Sequence, residues 1–72
     1  MRNNTSRRLV ADELLHKTDD AARLRIDGRS VWVPLSLSED LNSYEIGAVS
    51  FEFQLPHWKV EDLGLEAYIV DD

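Results

Sequence analysis

The chain has no cysteine among its 72 residues. That excludes disulfide staples and the thiolate zinc sites that hold many small domains together. No window approaches the roughly 20 apolar residues needed to span a bilayer as a helix. Bases nearly vanish after position 29. Lys59 stands there alone against nine acids (Glu39, Asp40, Glu45, Glu52, Glu61, Asp62, Glu66, Asp71 and Asp72), a net charge of −8. Phosphate contacts require a basic footprint, so this part of the chain is unsuited to nucleic acid. Its charge suits a basic partner, or the basic groove of a nucleic-acid enzyme. The plainer role for such charge is solubility. Glycines are few, and Gly28, Gly47 and Gly64 are too isolated to form a phosphate-cradling loop.

What is present makes one domain, with no room for a second core. A chain of 72 residues buries only about 60% of its unfolded surface, so it must rest on its apolar residues or on a partner. Residues 1–8, with Arg2, Arg7 and Arg8, are polar and lack the apolar run of a signal peptide. They are expected to form a flexible basic arm ahead of a single β-rich domain over residues 9–72. With the absence of cysteine, this points to a cytoplasmic protein.

The clearest local signal is a β-hairpin. Apolar and polar residues alternate through Ala22, Leu24 and Ile26, and again through Val31 and Val33, around Asp27-Gly28. That dipeptide suits the two positive-φ positions of a type I′ turn. A two-residue turn sets Ile26 against Arg29, Leu24 against Val31 and Ala22 against Val33, with Arg23, Arg25, Ser30 and Trp32 on the other face. Arg23 then lies across from Trp32, at a separation that lets a guanidinium stack on the indole. Pro34 ends the ladder, having no N–H to donate.

Residues 9–16 read as a first strand or a short helix, followed by a polar turn over 17–20. Residues 35–42 suggest a loop or a helical turn that Ser36 or Ser38 caps. Residues 48–55 alternate as a strand with Val49, Phe51, Phe53 and Leu55 inward. Pro56 opens a short helix to residue 63, and Gly64 stops it. Residues 67–70 are a last apolar run that could close the sheet as a fifth strand. The expected fold is mainly β, a small antiparallel curled sheet or partly open SH3-like barrel with one short helix. Its expected core is Leu24, Ile26, Val31, Val33, Val49, Phe51, Phe53, Trp58, Leu63 and Ile69.

These pieces carry a resemblance. Leu24-Arg25-Ile26-Asp27-Gly28, Val31-Trp32-Val33-Pro34 with Ser36, and then Pro56-His57-Trp58 with Leu63-Gly64-Leu65 occur in the order found in a group of small phage and prophage proteins of no settled function. The chain resembles that group over residues 14–65. It departs at Leu35, where lysine is usual, and in a tail that runs on past the helix. The resemblance implies a phage-type accessory protein with a small β-rich fold. It brings no catalytic residues.

Catalytic and metal chemistry find little purchase. His16 and His57 are the only histidines and stand in no ligand spacing. No serine sits in a nucleophile elbow. Glu39-Asp40 and Glu61-Asp62 are adjacent acids in polar stretches rather than a pair framed by a cleft. No enzyme, metal or cofactor is therefore expected. The expected function is a non-catalytic binding protein that occupies a surface of a host macromolecule, as an anti-CRISPR-like inhibitor of a nucleic-acid-handling defence complex would. Its partner-binding acids would be Glu39, Asp40, Glu45, Glu52, Glu61 and Asp62. One alternative is a nucleic-acid accessory factor using Arg23, Arg25 and Trp32 as a stacking platform. Another is a structural, oligomeric phage component. Exposed sheet edges also make a homodimer an expectation.

Overall fold

In the computed structural model, which describes residues 3–70, the chain forms four antiparallel strands and one short helix. The strands are β1 (Ser6–Lys17), β2 (Ala21–Ile26), β3 (Arg29–Pro34) and β4 (Val49–Pro56), and the helix α1 is His57–Leu63. They make one curled, unclosed sheet in the order β3-β2-β1-β4.

The hairpin takes its expected register. Ile26 pairs with Arg29, Leu24 with Val31, Arg23 with Trp32 and Ala22 with Val33. Asp27 (φ 50°) and Gly28 (φ 80°) both adopt the left-handed backbone a type I′ turn requires. A second device locks this tip, since the Asp27 N–H donates to Asp12 Oδ2 of β1 at 2.8 Å.

Residues 9–16 are strand, not helix. β1 is central and serves two neighbours in succession, β4 along Ser6 to Glu13 and β2 along Glu13 to Lys17. Its buried positions are Leu9, Ala11 and then Leu14, so the inward face changes parity between residues 11 and 14. Opposite that change, Ser50 of β4 takes a left-handed backbone (φ 49°). The sheet coils there, and an additional irregularity follows between Leu14 and His16.

This coiling corrects one core assignment. Val49 is 64% exposed, while Phe51, Phe53 and Leu55 are buried as expected. Simple alternation fails because the kink at Ser50 turns Val49 outward, into a row with Glu13, Arg25 and Ser30. Trp58 is a second correction, being half-buried rather than core. On a helix, two residues of separation turn a side chain nearly to the opposite side, and the inward side belongs to Val60. Val31, Leu63 and Ile69 only flank the core. Leu9, Leu14, Leu41, Val60 and Leu65, all fully buried, complete it.

The basic arm also needs correction. Ser6, Arg7 and Arg8 belong to β1 and pair with Pro56, Leu55 and Gln54. Upstream of them, the Thr5 and Asn3 carbonyls accept from the His57 and Trp58 N–H groups at 2.8 and 3.0 Å. These residues thus satisfy donors of the first helical turn that no intrahelical carbonyl can reach. Met1, Arg2, Asp71 and Asp72 lie outside the described residues. At its other end α1 closes in a Schellman motif. Gly64 (φ 70°) donates to the Glu61 carbonyl, and Leu65 donates to that of Val60.

The last apolar run is not a fifth strand. It forms a 3-10 turn (Glu66–Tyr68), then touches β1 through the single bridge Leu9–Ile69 and a 2.8 Å bond from Val70 N–H to the Arg8 carbonyl. Between β3 and β4 run two 3-10 turns, Leu35–Leu37 and Glu39–Ser43. Neither is capped by a side chain. Ser38 occupies the N-cap position of the second, but its hydroxyl makes no capping bond.

Candidate functional site

Two surfaces hold the residues singled out from sequence. The first is the outer face of β1, β2 and β3. The register aligns His16, Arg23 and Trp32 in one row, with Glu13, Arg25 and Ser30 in the next. Arg23, Arg25 and Trp32 therefore do share a face, and Trp32 is 47% exposed. The stacking of Arg23 on the indole is not what forms. Arg23 Nη2 donates to Ser30 Oγ at 3.1 Å, and Arg25 Nη2 meets Glu13 Oε1 at 2.8 Å. A directional bond to a charged donor outweighs an exposed cation–π contact. The ring partner of Trp32 is His16, edge-on at 6.0 Å between centroids.

The second surface is the loop between β3 and β4. It is pinned from both sides. Lys17 Nζ donates to the carbonyls of Tyr44 (2.9 Å) and Asn42 (3.3 Å). Tyr44 packs on Phe51 with centroids 4.4 Å apart and donates its hydroxyl to the Glu52 carbonyl at 3.1 Å. The loop presents Glu39, Asp40 and Glu45 to solvent, with Ile46 exposed beside them.

The six candidate acids thus divide into two sets. Glu52 approaches Arg8, Glu61 approaches His57 Nε2, and Asp62 approaches Lys59, each at 3.5 Å. Among the described residues, no ion pair reaches Glu39, Asp40 or Glu45. The two histidines are far apart in role, one on Trp32 and one on α1, and among the described residues no three His, Asp or Glu side chains converge as a metal-holding group.

Beside Glu39 and Asp40 the loop meets the ends of β1 and β4 in a cleft of about 290 Å³. Ser6, Gln54 and Pro56 line it from the sheet, and Leu37 and Ser38 from the loop. Ser6 Oγ donates to Gln54 Oε1 at 2.7 Å. Ser38 is only 3% exposed, and its Oγ has no hydrogen-bond partner.

Sequence reasoning missed His16, Ser6, Ser38 and Gln54 as contributors to these surfaces. The pairing of β1 with β2 and β4, and for Ser38 the path of the β3–β4 loop, bring them to their neighbours, and no short-range spacing signals it. No helix among the described residues is long and apolar enough to cross a membrane. Comparison of the chain with protein-family models, with curated proteins and with solved structures finds no match.

Proposed function

We propose that this chain is a non-catalytic binding protein of phage type that covers a basic surface of a host macromolecule, acting as an inhibitor of a nucleic-acid-handling defence complex. The observation that carries this reading is the pinned loop with Glu39, Asp40 and Glu45. Among the described residues these three carboxylates have no counter-ion, and two anchors, Lys17 and Tyr44, hold the loop that displays them. A loop backbone already held in place leaves only side-chain freedom to be lost on meeting a partner of opposite sign. They also steer its approach through water. Glu52, Glu61 and Asp62 add to the field but have partners of their own.

The test is capture of host macromolecules on the immobilised protein, repeated with two triple variants. Reversing Glu39, Asp40 and Glu45 to lysine should abolish capture. Reversing Glu52, Glu61 and Asp62 should weaken it far less. Equal capture by the first variant and the parent, with circular dichroism showing both folded, rejects the electrostatic account.

The half-exposed Trp32, flanked by Arg23 and Arg25 on one face, favours a second reading as a nucleic-acid accessory factor. An exposed indole beside guanidinium groups is a platform for an unpaired base. Fluorescence titration with single- and double-stranded DNA at two salt concentrations decides it. Absence of salt-sensitive quenching at the lower concentration ends that reading.

A further inference from the structure

We propose that the free edge of β3 is a self-association site, where a second copy of this chain adds its own β3 antiparallel about Val31 and the two sheets become one.

The sheet has two edges, β3 and β4, and they are not alike. β4 is guarded. The 3-10 turn Glu39–Ser43 packs on it, the Tyr44 hydroxyl donates to the Glu52 carbonyl at 3.1 Å, and the left-handed Ser50 interrupts its pleat. Covering, capping and kinking are ways in which proteins blunt an edge. β3 has none of them along its middle. It pairs with β2 one to one from Ala21–Pro34 to Ile26–Arg29 without a bulge, and Ser30-Val31-Trp32-Val33 carries no charge.

The hairpin decides which groups that edge offers. In a two-residue hairpin the closing residues bond each other, so Arg29, Val31 and Val33 direct their N–H and C=O groups to β2. Those of Ser30 and Trp32 point away from it, and among the described residues they meet no partner. Pro34, next in the series, has no N–H at all.

This short set is complementary to itself. With two copies antiparallel about Val31, Ser30 of each stands opposite Trp32 of the other, and every N–H and carbonyl of those residues is paired. A slip of two residues one way sets Ser30 against Pro34, which cannot donate, and the other way sets Trp32 against Gly28 in its left-handed turn. A strand identical to β3 thus meets each requirement that β3 sets, in a contact that closes on itself.

The side chains agree with that register. Val31 lies at its centre on the core side, only half-buried against the core. A non-hydrogen-bonded pair brings side chains closest, so Val31 of each copy covers the other and the core continues across the junction. On the outer face Trp32, 47% exposed, stands against Ser30 of the second copy, and the two indoles are diagonal neighbours within reach of each other. Arg29 stands opposite Val33, so no like charges face each other along the ladder. The inference uses none of Glu39, Asp40 and Glu45, so it and the proposed function can fail separately.

A single short ladder buries less than the about 1,200 Å² of a stable interface, so the expected dimer is weak, with Kd on the order of 100 µM. Sedimentation velocity of the full chain from about 20 µM to about 2 mM should show monomer passing to dimer. Ser30→Pro removes an N–H that points away from β2 and leaves the β2–β3 ladder whole, so circular dichroism should show it folded. It should weaken the dimer at least about tenfold. Cysteine gives an answer that does not depend on that variant. The chain has none, so Val31→Cys introduces a single thiol that the register sets against its own copy, at a Cα separation of about 4.5 Å. Under mild oxidation it should cross-link at least about tenfold faster than Val49→Cys, which is more exposed but lies on the opposite edge strand.

A parent that stays monomeric at the highest concentration, a dimer indifferent to Ser30→Pro, or cross-linking no faster at position 31 than at position 49 overturns the proposal. Dimerisation lost in Trp32→Ser but kept in Ser30→Pro identifies contact through the outer face, and overturns the ladder as well.

Discussion

Replacing Val49 by lysine tests the coil of the sheet directly. Val49 is 64% exposed, and its cross-strand neighbour is Glu13. Full burial of a valine side chain is worth about 1.5–3 kcal/mol, and only about a third of this one is shielded, so its removal forfeits about 0.5–1 kcal/mol. A lysine in its place faces Glu13, which already pairs with Arg25, so it returns only the low end of the about 0.2–1 kcal/mol of an opposite-charge pair across a sheet. The net change should be a loss of no more than about 1 kcal/mol. Were Val49 inward, in line with Phe51 and Phe53, the same substitution would bury an unpaired ammonium at a cost of several kcal/mol. A domain of this size has a total stability of only about 4–10 kcal/mol, so that would unfold it or nearly so. Phe53→Ala supplies the contrast. Phe53 is fully buried, and its truncation should remove about 3–5 kcal/mol. Urea unfolding followed by far-UV circular dichroism reads both, with unchanged m-values as the condition for comparing midpoints. A loss above about 2 kcal/mol in Val49→Lys would refute the outward turn at Ser50.

Three further substitutions probe the supports of the two surfaces. Asp12→Ala removes the acceptor of the Asp27 N–H and should lower stability by about 1–2 kcal/mol in the same urea assay. Gly64→Ala should cost about 1 kcal/mol in thermal unfolding, because a Cβ there meets only Arg29 Nη2 at an ordinary 3.7 Å and the penalty is the left-handed backbone alone. A loss several times larger would mean that packing, not φ, governs the position. Lys17→Met deletes both bonds to the β3–β4 loop and should speed amide hydrogen exchange across residues 42–46 at a global stability lowered by no more than about 1–2 kcal/mol. Unchanged exchange there would show that Tyr44 and the backbone bonds joining Gly47 and Ala48 to Leu14 hold the loop without Lys17.

Local order was legible in the sequence wherever a few neighbouring residues decide it. Asp27-Gly28 carried the type I′ turn and with it the whole β2–β3 register, because only residues tolerant of positive φ fit a two-residue reversal. Gly64 marked the end of α1 for the same steric reason. The shared face of Arg23, Arg25 and Trp32 followed from period-two alternation within one hairpin. Tertiary structure alone decided which way each side chain points once a strand bends. The left-handed backbone at Ser50 and the parity change in β1 come from coiling a long central strand around two neighbours, a demand no local pattern encodes. It likewise decided the place of residues 3–8, whose carbonyls and strand edge are taken up by α1 and β4, partners about 50 positions away in the chain. The division of the six acids and the meeting of Ser6, Ser38, Glu39 and Asp40 at one cleft have the same origin. Charge and composition are written along the chain, but which charges meet a counter-ion depends on the strands that cross between them.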